Sequence, residues 1–227
     1  MRGWLRYQGT GFSEIADDVR MAACAVRSGW PAVRRRAQRL VFTGLLLTAA
    51  AVMLDPAVEE LVLQRERPET VRHLAREISS KAQPTKMPGL LIMGCWLAGR
   101  IASRRRLRLF AMAMLASVVM AGITDNAIRV VVGRPRPYVS AQPWHPFSFE
   151  EEFQSFPSAH TAVAFATAVP AVECHPALGG LLMAGAAATG WARIYLRDHY
   201  LSDVVAGAYL GAICGVILSA GLRKAGG

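Results

Sequence analysis

Lysine is almost missing from this chain: of 26 basic residues only three are lysines, and the other 23 are arginines. That skew favours planar, bidentate contacts with phosphate or carboxylate over looser contacts with a hydrated ammonium. Acidic residues are scarce too, 16 against the 26, so the formal charge is +10. Cysteine is rare and scattered. Cys24, Cys95, Cys174 and Cys214 form no CxxC pair and have no histidines at metal-ligand spacing, which argues against a disulfide framework or a zinc site. No small-residue cleavage site follows the first long apolar run, so no secretory signal peptide is expected. Internal repeats and low-complexity tracts are absent as well.

Apolar residues, by contrast, are plentiful: 53% of the 227 residues are hydrophobic. A soluble domain rarely combines that content with so much positive charge, whereas a membrane protein with apolar spans and basic loops does. Nucleic-acid binding explains the charge but not the apolar runs, and is set aside.

Those runs cover residues 40–54, 87–99, 109–132, 161–172, 178–192 and 204–221. A spanning helix needs about 20 mainly apolar residues. The third and sixth runs meet that length, the first comes close, and the second and fourth are short. The expected fold is therefore an all-α integral membrane bundle of about six transmembrane helices. Ahead of it, residues 12–30 place Phe12, Ile15, Val19, Ala23, Val26 and Trp30 at helical spacing. This predicts an amphipathic N-terminal helix lying on a membrane or on the rest of the protein. The chain divides into a cytoplasmic segment, 1–39, and a six-helix membrane domain, 40–227. Between the first two runs, 55–86 is a charged connection, in which Val71, Leu74, Ala75 and Ile78 share one face of a surface helix.

Orientation follows from the arginines flanking the spans. Eight precede Leu40, five more (Arg100, Arg104, Arg105, Arg106, Arg108) lie between runs two and three, and Arg223 and Lys224 close the chain. Six spans put all three groups on one side, so both termini are expected in the cytoplasm.

Three polar clusters then emerge together on the other side. Arg129 to Pro137 ends the third run, Ser155 to His160 begins the fourth, and Ala192 to Asp203 joins the fifth to the sixth. Arg129, Arg136 and Arg193 are suited to surround a phosphoryl group and neutralise its oxygens. Ser158 and backbone N–H groups at the start of a helix add donors. His199 and Asp203, four apart, share a face if helical. A carboxylate on one imidazole nitrogen leaves the other free to attack, with His160 as general acid. Arg134 is expected to serve a secondary role as a headgroup anchor, and Arg197 and Asp198 to pair with each other in solvent. Asp125 and Asn126 are expected either to support the site or to make an interhelical contact. Residues 144–153, with their aromatics, form a lid or an interfacial loop.

Arg129-x6-Arg136-Pro137, Pro157-Ser158-Ala159-His160 and Arg193-x5-His199-x3-Asp203 resemble, in order, the three signature motifs of the type 2 phosphatidic acid phosphatase (PAP2) superfamily. The resemblance covers roughly residues 120–215. It implies that His199 is a nucleophile forming a phosphohistidine, Asp203 its partner, and His160 the acid for the departing oxygen. Arg129, Arg136, Ser158 and Arg193 would bind phosphate, with no metal or other cofactor. Three positions depart from the pattern: Arg129 replaces a lysine, Ala159 a glycine, and Ala192 a serine.

The expectation is a membrane phosphatase acting on a lipid phosphate or diphosphate. Candidates are phosphatidic acid, phosphatidylglycerol phosphate, undecaprenyl diphosphate and lipid A phosphates. The site would face away from the cytoplasm in a bacterial inner membrane. A lipid-to-lipid phosphotransferase with the same site is the near alternative. A non-catalytic phosphate-binding membrane protein is the distant one, since a binder needs the arginines but neither histidine. Oligomeric state stays open.

Overall fold

The computed structural model describes residues 11–64 and 68–220, and these form helices and loops with no strand. Seven α-helices follow in order: α1 (Gly11–Gln64), α2 (Glu69–Lys81), α3 (Met87–Ile101), α4 (Arg105–Val132), α5 (Ala159–Cys174), α6 (Pro176–Tyr195) and α7 (Leu201–Leu218). The first five expected apolar runs each lie within one of them, and the sixth, 204–221, follows α7 as far as Leu218. Among the described residues, three segments are long and apolar enough to cross a membrane: Val33–Gln64, Arg105–Val139 and Leu201–Leu218. The chain is an integral membrane protein.

α5 and α1 are the two extremes of packing in the bundle. α5 is the central helix, in contact with α4, α6 and α7. Its Ala162, Val163, Ala166, Thr167, Ala168, Val169 and Ala171 are all buried. A helix clad in protein has no need of large lipid-facing side chains, so its 16 residues are rich in alanine. α1 is the opposite case: Leu45, Leu46, Leu47, Met53, Leu54, Leu61 and Leu63 are all exposed. An apolar surface that extensive belongs in a bilayer rather than in water.

Small residues bring α7 against α5. A Cβ on Gly207 would lie 2.5 Å from the carbonyl oxygen of Ser158, and one on Gly211 would lie 2.1 Å from that of Ala162. On Gly215 it would meet Val169 at 2.6 Å. Glycine every fourth residue thus gives α7 a smooth face, the device by which membrane helices approach backbone to backbone.

The N-terminal half departs from expectation. The amphipathic stretch 12–30 and the first apolar run are parts of one helix, α1, which continues to Gln64 with Pro31 and Pro56 inside it. Its inward face carries Asp18, Gly29, Val33 and Ala37, while Ile15, Val19, Ala23 and Trp30 are exposed. The side chain of Phe12 lies outside the description. Close approach decides the matter: Gly29 lets α1 reach Ala220, whose carbonyl oxygen a Cβ would strike at 2.3 Å. The larger apolar stripe is left facing outward. The connection expected over 55–86 is correspondingly shorter, since its first ten positions complete α1. Within α2, Ala75 and Ser79 turn inward and Leu74 is exposed, a slight rotation from the expected face.

Ion pairs fix the two ends of the bundle. At one end Arg108, in the first turn of α4, meets Asp18 of α1 at 3.2 Å, and Arg36 of α1 pairs with Glu173 at the end of α5. Residues Arg223 and Lys224, used for orientation, lie outside the described residues. The polar clusters gather at the other end.

Candidate active site

Gly133 starts the site by ending α4. Its left-handed backbone (φ 58°) and its N–H bond to the Arg129 carbonyl close the helix, and a Cβ there would overlap the His145 carbonyl oxygen at 1.8 Å. Only glycine fits such a turn without strain. The chain then crosses the bundle end through Arg134 and Arg136 and returns to α5 at Ser158.

His199 sits in the loop before α7, buried, and its Nδ1 lies 2.7 Å from the backbone carbonyl oxygen of Ser155. Asp203 Oδ2 is 3.6 Å from that same nitrogen, too far for a hydrogen bond. The two residues do not share a helical face, because α7 begins only at Leu201. Asp203 stands in its first turn, where Oδ2 accepts from the Tyr200 N–H at 2.9 Å and from Ser155 Oγ at 2.6 Å. Ser155 therefore links them, with its carbonyl on the histidine and its hydroxyl on the aspartate. Burial, reinforced by the charges of Arg193 and Arg136, holds His199 below the usual imidazole range despite Asp203. The ring is neutral at neutral pH.

The remaining expected residues converge from four segments. His160, in the first turn of α5, lies within electrostatic reach of Arg193, His199, Arg136 and Arg129. Arg129 projects from the end of α4 with Nε 2.8 Å from Asp125 Oδ2, and its Nη2 donates to Asn126 Oδ1 at 2.7 Å. Asp125 and Asn126 are thus partners of Arg129 on its own helix. Arg136 is buried and bonds the Glu151 carbonyl at 3.0 Å and the exposed Glu151 carboxylate at 3.3 Å. Arg193, on α6, donates to Ser79 of α2 at 2.8 Å and pairs with Asp198 at 2.9 Å. Its buried Nε has no hydrogen-bond partner.

Ser158 is placed differently from expectation. It precedes α5 as its N-cap, but its hydroxyl faces Thr161 Oγ1 at 3.0 Å and its N–H donates to the Asp203 carbonyl at 3.0 Å. The helix N-terminus behind it still presents first-turn N–H groups that lack intrahelical partners. Ala159 opens α5 in ordinary helical geometry, so the missing glycine is not felt. Ala192 is fully buried in α6.

Two expectations fail here. Arg197 and Asp198 do not pair with each other: Arg197 reaches Glu59 of α1 at 3.3 Å and the Pro137 carbonyl at 3.0 Å, while Asp198 holds Arg193. Arg134 is no peripheral anchor. It is largely buried, bonds Asp203 at 2.6 Å, Ser202 at 2.7 Å and Asp55 at 2.9 Å, and lies 4.0 Å from the centre of the Tyr200 ring. Enclosed by two carboxylates, its charge is worth more than in a headgroup layer.

Asp55 escaped the sequence reading, and Ser155 and Ser202 stood inside the named clusters without a role. Asp55 had a signal: it is the carboxylate that closes the 40–54 apolar run, and an ionisable residue at the end of a span warrants a partner. The serines had none.

Residues 110–226 match the family model described as the PAP2 superfamily. Among curated proteins, an undecaprenyl-diphosphatase (BcrC) of Bacillus subtilis is 28% identical over 56% of this chain and 64% of its own length. A lipid A 1-phosphatase of Rhizobium johnstonii is 32% identical over 42% of this chain and 41% of its own. The chain thus spans less than two thirds of the length of the curated relatives it matches. Among solved structures, a transmembrane PAP2-type phosphatidylglycerolphosphate phosphatase from Bacillus subtilis superposes with a TM-score of 0.62 at 21% identity, covering 80% of this chain and 93% of that one. Aquifex aeolicus LpxE gives 0.56 at 20% identity, covering 73% and 94%.

Proposed function

The chain belongs to the PAP2 superfamily, and from that premise we propose that it is a membrane phosphatase of lipid phosphates or diphosphates with His199 as nucleophile. One observation carries the reading. A carbonyl oxygen only accepts, so the 2.7 Å contact with Ser155 assigns the proton to His199 Nδ1 and the lone pair to Nε2. The neutral ring is then ready to attack without prior proton removal.

In the first step the Nε2 lone pair forms a bond to phosphorus as the bond to the leaving oxygen breaks, and that oxygen takes a proton from His160. The ring becomes cationic while Nδ1–H stays on Ser155, with the Asp203 charge 3.6 Å away to stabilise it. Water then attacks phosphorus, gives a proton back to His160, and releases phosphate from Nε2. Arg129, Arg136 and Arg193 neutralise the phosphoryl oxygens, and the free Nε of Arg193 is one such donor. Ser158 acts through position more than its own hydroxyl: it sets the α5 N-terminus, whose dipole favours an anion.

The family resemblance extends the reading to six spans, with α3, α5 and α6 completing the set. The site would lie on the non-cytoplasmic face of a bacterial inner membrane and both termini in the cytoplasm. The relatives' substrates, undecaprenyl diphosphate, lipid A and phosphatidylglycerol phosphate, define the panel to try. Phosphate release by detergent-purified protein is measured across that panel with EDTA present, beside His199→Ala. Release from one lipid that disappears in the variant supports the reading. Phosphate binding without release points instead to the non-catalytic binder.

A further inference from the structure

The first helix has no place in the three motifs, yet one of its carboxylates touches them. Asp55 Oδ2 accepts from Arg134 Nη2 at 2.9 Å and from Ser202 Oγ at 2.6 Å, while Oδ1 accepts from the Ser202 N–H at 2.9 Å. The other branch of the Arg134 fork, Nη1, holds Asp203 Oδ1 at 2.6 Å. That bond turns Oδ2 of Asp203 toward Ser155 and the His199 ring. The line Asp55–Arg134–Asp203–His199 is continuous and largely buried.

Charge makes the line more than a tether. Arg134 alone against Asp203 would cancel the carboxylate that faces the imidazole. With Asp55 on the far side, two carboxylates share one guanidinium, and one negative charge is left over. Asp55 and His199 also line the same partly open cleft, together with Glu59, Arg197 and Tyr200. The other charged or titratable groups facing His199 are Arg193, Arg136 and His160, with Asp198 one contact beyond Arg193.

We propose that Asp55 of α1 is a positioning residue for the reaction: through Arg134 it sets both the orientation and the effective charge of Asp203, and so the proton affinity of His199. This rests on the phosphatase reading above for its consequence in turnover, but not for its electrostatics. Removing the Asp55 charge lets Arg134 neutralise Asp203, which disfavours a cationic ring both on protonation and on phosphorylation.

The test is Asp55→Asn, which keeps the shape and removes the charge, beside Asp55→Asn/Arg134→Gln, which restores one net negative charge. His199 is followed by NMR of labelled histidine rings in detergent, its signal being the one of five lost in His199→Asn. Asp55→Asn is expected to lower the His199 pKa by roughly half a unit, less than a charge in direct contact gives. It should lower kcat about tenfold or more with KM little changed, as support groups behind catalytic imidazoles do. The double variant should return the titration toward wild type, which lost packing alone does not do. If Asp55→Asn does not fold, the double variant decides: a wild-type-like titration supports the coupling and a displaced one overturns it. Unchanged titration and kcat in folded Asp55→Asn overturn the coupling and leave the phosphatase standing. A shifted His199 in a protein that releases no phosphate does the reverse.

Discussion

Helix α1 is pinned to α4 twice, once at each end of the bundle and each time by an aspartate on an arginine. Asp18 meets Arg108 in the first turn of α4, and Asp55 meets Arg134 just past its last. The two pairs are alike in burial of the carboxylate and unlike in what lies behind the arginine. Among the described residues Arg108 pairs with Asp18 and goes no further, whereas Arg134 continues to Asp203 and thence to His199. One chemistry serves assembly at one end and, on our reading, organises a reaction at the other. What separates them is connectivity.

The largest test of that contrast removes the end of the line. His199→Ala is expected to lower phosphate release by at least about a thousandfold while the protein remains monodisperse in detergent, since the nucleophile itself is lost. Next come the paired aspartates. Asp55→Asn should lower kcat, while Asp18→Asn should leave kcat alone and cost about 1–3 kcal/mol of stability, read as a lower Tm. Equal effects of the two on kcat would erase the distinction between the ends.

The pH profile gives a finer measure. Because burial depresses the His199 pKa below 6.5, the nucleophile stays neutral as pH falls through that value. The acid limb of kcat/KM is therefore expected below the ordinary histidine range, and lower still in Asp55→Asn. An acid limb above 6.5 assigned to His199 contradicts the burial described for it. The smallest effect is expected from Glu151→Gln. Its carboxylate is 84% exposed, so although it touches Arg136 its loss should change kcat/KM by no more than about twofold.

Much of the architecture was legible because span length and hydropathy share a cause, and the runs starting at 87, 109, 161, 178 and 204 each became a helix. The gathering of the three clusters at one end was legible from span counting. Arg129, Arg136, Arg193 and His199 do all come within electrostatic reach of His160. The long reach of α1 was not legible. Its inward face is chosen by Gly29, Val33 and Ala37, small residues that a search for large apolar stripes overlooks. Arg134 was read as an anchor because its partners are residues 55, 202 and 203, the first of them on a helix outside every motif. The pairing of Arg197 with Glu59 was hidden for the same reason. Sequence spacing exposes partners on one helix, such as Asp125 and Arg129, far better than those brought together by docking.

The glycine seam between α5 and α7 has an evolutionary consequence. Ser158 caps α5, its N–H is bonded to the Asp203 carbonyl, and the adjoining helices touch through main chain at Gly207 and Gly211. The relative placement of these two reaction elements is thus recorded in backbone atoms rather than in side chains. Outward positions such as Leu45, Met53, Leu90 and Leu181 contribute nothing to that record. Substitutions there leave the seam untouched, so on our reading a change of headgroup specificity would not disturb the placement of the reacting groups.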